Sequence, residues 1–258
     1  MENTKYHPEA YWTQVGKQIE VREDGKNVIA GDDEPYYRYK RERFLNLLHS
    51  VDFDNKSVLE VGCGPGGNLL EVLKDKPNEL TGADISAQML SLAKNKVPKE
   101  VKLFKTNGTK LEFNDNSFDI VFTATVLQHN TDEKMLINLI KEICRVSSDR
   151  VFIFERIENE IKGDELCLGR PVSYYSKIME ENGFKLISQE FINIRVSYYI
   201  SGIARKVLNP STRKEGEPLT KTSILLQKVT LPITKILDKI ITSKKDVAKL
   251  EFQKVKNS

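Results

Sequence analysis

Cysteine, histidine and tryptophan are scarce in this chain, with 3, 3 and 1 among 258 residues. Cys63, Cys144 and Cys167 are odd in number and too scattered for a disulfide framework or a zinc site, so a reducing cytoplasm is the simplest setting. No stretch approaches the ~20 apolar residues that cross a membrane. Met1 to Lys5 is followed by no apolar run, and no secretory leader is expected. No segment repeats, which excludes solenoid architectures.

A large charge of one sign is also missing, the formal net being +3. That near-neutrality hides an asymmetry. Residues 195–258 carry 14 Lys and Arg against 5 Asp and Glu, a net +9, which leaves residues 1–194 with 26 against 32, a net −6. A basic end on an acidic body points to an anionic partner for the tail. The hydrophobic share of 39% is enough for a core, and the charged share of 30% suits a soluble α/β domain with additions.

What is present is concentrated in residues 58–70. Val58, Leu59 and Val61 read as a short buried strand, and Leu69, Leu70, Val72 and Leu73 as the apolar face of a following helix. Between them lies a turn with Gly62, Gly64, Gly66 and Gly67. A strand, a glycine turn and a helix open a doubly wound sheet, where a nucleotide-like ligand sits beyond the strand's carboxyl end. The spacing also satisfies a dinucleotide pattern, and a glycine turn that binds nothing is a third reading. Glu60 decides between them. A carboxylate there repels a pyrophosphate but attracts the ammonium group of S-adenosylmethionine.

The rest of the chain alternates around that motif. Helices are expected over 8–20 and from Tyr36 to about Ser50, the second opened by Asp33, Glu34 and Pro35 after a polar loop over 21–34. Strands follow at 80–84, 101–105, 118–123, 150–155 and 184–194. Helices over 86–96, from Thr131 or Asn130, and over 171–182 lie between them, the last ended by Gly183. Asp84 lies 22 residues after Gly62, where an acidic residue takes both ribose hydroxyls; a helix N-cap is the other reading. Residues 197–208 form a helix, 209–218 a loop, and 222–241 an amphipathic helix that Pro232 kinks. Leu225, Leu226, Val229, Ile233, Ile236, Leu237 and Ile240 share one arc of that helix, with Lys221, Lys228, Lys235 and Lys239 opposite. A last strand over 247–255 lies antiparallel beside the sixth.

With these residues in view, the chain resembles the class I S-adenosylmethionine-dependent methyltransferases, of the small-molecule group that includes quinone-biosynthesis and sugar methyltransferases. The resemblance rests on Glu60-Val-Gly-Cys-Gly-Pro-Gly66, on Asp84-Ile-Ser86, and on Asn116-Ser-Phe-Asp-Ile-Val-Phe122 running into Val126-Leu-Gln-His129. It covers roughly residues 36–194 and resumes at the final strand. It implies a seven-stranded Rossmann-like sheet with an antiparallel last strand. The expected divisions are a helical cap over 1–50, the cofactor domain over 51–194, a basic helical insertion or lid over 195–245, and the last strand over 246–258. The implied cofactor site comprises Tyr37, Arg38, Glu60, Gly62, Cys63, Gly64, Asn68, Asp84, Ile85, Met89, Asn107, Gly108 and Thr125, with no metal. Arg38 would meet the methionine carboxylate with Tyr37 packed nearby. Asn107 stands where the family usually has Asp; its amide oxygen would accept from the adenine amino group, and Gly108 would offer its N–H to the ring.

Methyl transfer to a hydroxyl is helped by a base, and His129, on the loop after strand four, is the candidate, since an imidazole titrates near neutral pH. Its other reading is a residue that orients the loop ahead of a helix cap. Glu155 reaches the same region, with pairing to Arg156 or Arg170 the simpler expectation. Neither an Asn-Pro-Pro-aromatic motif for exocyclic amines nor a Pro-Cys nucleophile is present. Three functions stay open. The chain is an O-methyltransferase for a small-molecule, glycan or lipid-linked acceptor, an RNA or protein methyltransferase docking through the tail, or a non-catalytic cofactor-binding regulator. The tail itself reads as a lid on the sheet domain, as a helix on an anionic membrane surface, or, least readily, as a nucleic-acid surface.

Overall fold

The computed structural model describes residues 7–20, 34–212 and 219–255. Its centre is a sheet of β1 (Ser57–Val61), β2 (Glu79–Asp84), β3 (Lys102–Lys105), β4 (Phe118–Ala124), β5 (Ser147–Ile157), β6 (Phe184–Phe191) and β7 (Asp246–Lys254). The spatial order is β3-β2-β1-β4-β5-β7-β6. β1 to β5 run parallel, and β7 pairs antiparallel with both β5 and β6. The order reverses between β1 and β4, which opens a crevice beyond their carboxyl ends.

Strand residues point alternately to two faces, so two cores form. Leu59, Val61, Val121, Val151 and Ile153 pack with α5 (Glu133–Val146) and α6 (Val172–Glu181). Val58, Phe122, Phe152 and Phe154 face the other way, onto α2 (Pro35–Leu48) and α3 (Gly67–Val72). α1 (Pro8–Glu20) lies on α4 (Ala87–Lys94), where Thr13 and Ser86 share a hydroxyl contact of 3.0 Å.

Several boundaries differ from the sequence reading. β5 is longer than 150–155 at both ends, because Arg156 and Ile157 pair with Val247 and Asp246 of β7 and Ser147 pairs with Phe118 of β4. β6 ends at Phe191, and Asn193, at φ +50, turns the chain away. α5 is capped by Asp132, which accepts from the Met135 N–H at 3.0 Å, not by Thr131 or Asn130. Within the expected loop after β5, Lys162–Gly163 and Leu168–Gly169 form a short antiparallel ribbon. The loop expected over 21–34 lies outside the described residues except at Glu34, as do Asp33 and residues 213–218 of the loop expected over 209–218.

The largest difference concerns α7 (Arg195–Leu208) and α8 (Lys221–Ile240), which lie between β6 and β7 in the chain and pack on each other. The lid reading has the apolar arc of α8 packed inward. Instead α8 buries Ser223, Gln227, Thr234 and Asp238, while its apolar arc faces out. The cause is a set of polar bonds that only this rotation satisfies. Asp238 accepts from the Val196 and Ser197 N–H groups (2.7 and 3.3 Å) and from the Ser197 hydroxyl (2.5 Å), so it caps the start of α7. Thr220 caps α8 and donates to the Leu208 carbonyl at 2.7 Å, closing the other end of the pair. Lys235 is also drawn out of the lysine stripe, onto Glu42 (3.0 Å) and over the Tyr39 ring (4.4 Å). Pro232 stands inside the helix without ending it.

Candidate active site

The turn from β1 to α3 is shaped by close approach. At Gly62, φ is +78°, and a Cβ there would lie 2.2 Å from Val126 Cγ2. At Gly64, φ is +51° and nothing lies within 4 Å of where a Cβ would stand, so the backbone opens onto free space. The Gly64 N–H donates to Asp84 Oδ2 (2.8 Å), and the Ser86 N–H donates to Oδ1 (2.8 Å). Burial pushes the Asp84 carboxyl up, and these N–H groups pull it back. Ser86, not Asp84, caps α4, accepting from the Met89 N–H. The capping alternative for Asp84 is therefore replaced by a carboxylate that ties two strand ends at the rim of the crevice.

That space is a cavity of about 1000 Å³, at the upper end of the range for ligand pockets. Tyr37, Arg38, Gly62, Cys63, Gly64, Asn68, Asp84, Ile85, Met89, Gly108, Thr125 and His129 all line it. Two expected residues do not. Asn107 is exposed, and its amide oxygen is taken up by the Thr109 N–H (2.9 Å), the Thr109 hydroxyl (3.0 Å) and the Lys110 N–H (2.8 Å). It forms its own turn, and the buried Thr106 lines the cavity instead. The Gly108 N–H is also committed, donating to Thr106 Oγ1 at 3.1 Å.

Glu60 is the second. It is fully buried behind Asn68, whose amide donates to Glu60 Oε1 at 2.7 Å. Arg41 in turn donates to Asn68 Oδ1 at 2.7 Å, so a relay runs from α2 to β1. Glu60 Oε2 has no partner. Burial pushes this carboxyl up to about 8, against the pull of Asn68 and Arg41. A buried carboxylate with a spare oxygen suits a cationic neighbour.

The loop after β4 is the most constrained part of the site. Thr125 holds φ +56°, a strained conformation for a β-branched residue. Beyond it, Glu155 accepts from the Val126 (2.8 Å), Leu127 (2.9 Å) and Gln128 (3.0 Å) N–H groups and from the Thr123 hydroxyl. Glu155 thus pins the loop rather than pairing with Arg156 or Arg170: Arg156 meets Glu158 at 3.0 Å, and the fully buried Arg170 donates to the Leu127 and Asn130 carbonyls. Burial pushes the Glu155 carboxyl up to about 7 despite these bonds.

The same loop fixes the His129 ring. Gln128 Oε1 accepts from the Arg156 N–H (2.9 Å), so the Gln128 amide NH₂ faces His129 Nε2 at 3.2 Å. Nε2 then carries the lone pair, and Nδ1–H donates to the Leu166 carbonyl at 2.9 Å. Leu166 belongs to the ribbon turn, whose geometry Asp164 sets by accepting from the Leu166 and Cys167 N–H groups. Trp12 of α1 stands edge-on to His129, with ring centres 5.0 Å apart. Sequence reasoning did not find Trp12, Arg41, Thr106 or Gln128. Only Arg41 carried a signal, one turn after Arg38 on the same helix face.

The cavity therefore has guanidinium groups at its α2 side and the Asp84 carboxylate at the end of β2, with Ile85, Met89 and Met135 offering apolar surface for a flat ring. A ligand with a carboxylate, an ammonium, ribose hydroxyls and a purine fits that layout. Among the described residues no cluster of His, Cys, Asp and Glu could hold a metal ion.

Residues 58–149 match the methyltransferase domain family model. Demethylmenaquinone methyltransferase of Lactiplantibacillus plantarum is 30% identical over 116 residues, 42% of this chain and 48% of that protein, so the match spans about half the length of that relative. An uncharacterised protein of Methanocaldococcus jannaschii is 30% identical over 200 residues, 73% of this chain and 72% of its own. The fold is shared with magnesium protoporphyrin IX methyltransferase of Synechocystis, solved with bound S-adenosylhomocysteine, at TM-score 0.59 and 13% identity over 95% of this chain and 97% of that one. The family match falls on the segment that builds the glycine cradle and Asp84, and the chain belongs to the class I S-adenosylmethionine-dependent methyltransferases.

Proposed function

We propose that the protein methylates a hydroxyl on a small-molecule, glycan or lipid-linked acceptor. When bound, S-adenosylmethionine supplies an electrophilic methyl group. Arg38 and Arg41 suit its carboxylate and Asp84 its ribose hydroxyls, while Glu60, buried behind Asn68, acts on its ammonium only as a charge at a distance. The observation that carries the acceptor chemistry is His129 Nε2, an unprotonated nitrogen held at the wall of the same cavity. To work as a base it exchanges the Gln128 amide for the acceptor's hydroxyl and takes that proton. The Leu166 carbonyl, already on Nδ1–H, stabilises the ring once it is charged. The cavity has room for cofactor and acceptor side by side, and Trp12 forms part of its wall beside His129.

Calorimetric titration with S-adenosylhomocysteine tests the cofactor half. The wild type binds, and Asp84→Ala weakens binding on the order of ten- to a hundredfold, as expected for losing a charge-assisted hydrogen bond of ~1.5–3 kcal/mol. Binding of NAD in its place, or an unchanged affinity in the variant, overturns the assignment. The acceptor half is tested by incubating the enzyme and methyl-labelled S-adenosylmethionine with hydroxylated small molecules and lipid extracts. Label appearing only on nitrogen or carbon would exclude O-methylation.

Glu60 adds a pH dependence. Its carboxyl, pushed up to about 8, is largely neutral at lower pH, whereas a ligand ammonium favours the charged form. Binding then releases a proton, and affinity for S-adenosylhomocysteine rises from about pH 6 to about pH 8. Glu60→Gln flattens this rise. A pH-independent affinity in the wild type would show that the ligand's charge does not reach Glu60.

A further inference from the structure

The outward face of the α7–α8 pair is apolar where a solvated helical pair is polar. Leu225, Val229, Ile233, Ile236 and Ile240 on α8 are each more than 60% exposed, and Ile203 and Val207 on α7 are 59% and 70% exposed. The arrangement is inverted relative to a water-facing helical pair, since the buried seam is made of Ser197, Ser201, Ala204, Ser223, Gln227, Thr234 and Asp238. Single exposed apolar residues need no explanation, but a face built from two helices does.

We infer that this face seats the protein on an anionic membrane surface, with α7 and α8 lying in the plane of the lipid interface. Charge identifies the occupant. Arg195 and Lys206 on α7 and Lys221, Lys228 and Lys239 on α8 are exposed, whereas Arg205 and Lys235 turn to the Tyr36 and Tyr37 rings and to Glu42, and the one carboxylate of the two helices, Asp238, is buried in the seam. The ring of cations around an apolar face complements acidic headgroups above an acyl layer. A second copy of the chain complements it poorly, because a two-fold contact sets one basic rim against another. Tyr198 and Tyr199, 50% and 55% exposed, add the amphipathic rings that settle at headgroup level. None of the described helices is long and apolar enough to cross a membrane, so an in-plane seat is the geometry available.

The seat is joined to the cavity through α2. Gln227 accepts from the Tyr36 N–H at 3.3 Å, and the Arg205 guanidinium lies over the Tyr36 and Tyr37 rings at 5.2 and 5.1 Å. Tyr37 and Arg38 are part of the cavity wall. A membrane under α7 and α8 therefore bears on the helix that frames the ligand site.

Flotation of the full chain with phosphatidylcholine vesicles containing about a quarter phosphatidylglycerol tests this. The wild type floats with them, floats less with pure phosphatidylcholine, and is released as salt shortens the screening length towards ~3 Å. Ile233→Ser and Ile236→Ser each lower partitioning about tenfold. Lys228→Glu with Lys239→Glu weakens binding to anionic vesicles alone. Because these side chains face solvent, the variants keep the wild-type melting temperature and S-adenosylhomocysteine affinity, which separates this surface from the cofactor site. Wild type that stays behind both vesicle types overturns the inference. So does a concentration-dependent dimer that Ile233→Ser dissociates, which would give the face to a second copy, and so does unfolding of the serine variants.

Discussion

Glu155→Ala lowers the unfolding free energy by on the order of 3–6 kcal/mol, the largest stability loss expected from any single polar residue of the site. The carboxylate is the shared acceptor of three backbone N–H groups and the Thr123 hydroxyl, all buried at the end of β4. Removing it leaves those donors without water or protein partners, at ~1–3 kcal/mol each. The strain at Thr125 is then held only by its own bond to the Phe154 carbonyl and by Arg170 on the Leu127 and Asn130 carbonyls, and the loop carrying His129 relaxes. Denaturant unfolding measures the loss, and a value under about 1 kcal/mol would mean that the loop is held by Arg170 instead. The sign of the pH effect follows from the raised carboxyl. Its folded value is near 7 against 4.5 in the ordinary state, so between those values the folded chain holds more protons than the unfolded one. Stability from this group therefore falls as pH rises through that window and is level above it. Glu155→Ala removes that slope as well as the bonds.

What could be read in the sequence was what is local. The glycine turn, the buried strand before it and Asp84 at the next strand end follow from spacing and residue type, and the cavity gathers them. Asn107 was misassigned although its signal is also local. An Asn followed by Gly108, with the N–H groups of residues 109 and 110 within reach, closes on its own backbone before any ligand arrives. Glu60 was judged by charge alone, and the position of Asn68 between it and the cavity needed coordinates. Trp12 reaches the site from the first described helix, across more than a hundred residues of sequence, with nothing near it to announce the contact. The α8 wheel gave the faces of the helix but not which one is inward. That choice lies with Asp238 and Gln227, whose partners are 42 and 191 positions away in the chain. Hydrophobicity alone favours burying the isoleucines. The capping of α7 by Asp238, with the Ser197 and Thr234 hydroxyls beside it, reverses that preference because each bond it makes offsets the cost of burying a carboxylate.

His129→Ala lowers turnover about 10²–10⁴-fold while leaving S-adenosylhomocysteine affinity near the wild-type value, the pattern of a group that acts on the acceptor's proton. The measurement is steady-state methylation of whichever hydroxyl acceptor the labelling screen yields, beside a calorimetric titration. Alanine alone does not separate a base from a ring that merely holds the loop, since either loss slows the reaction. Asparagine does. Its side-chain NH₂ stands close to where Nδ1–H stands and can still donate to the Leu166 carbonyl, but it offers nothing at the Nε2 position to take a proton. If the ring only supports the loop, His129→Asn restores most of the turnover that alanine loses. If Nε2 is the base, His129→Asn stays as slow as alanine even though the loop is held. Gln128→Ala sharpens the reading, because it removes the amide that occupies Nε2 in the resting site without touching the ring. A base freed in this way keeps its lone pair and loses at most about tenfold in rate through looser positioning. A collapse of turnover in Gln128→Ala as deep as in His129→Ala, together with rescue by asparagine, would assign the proton to another group and leave His129 as part of the wall.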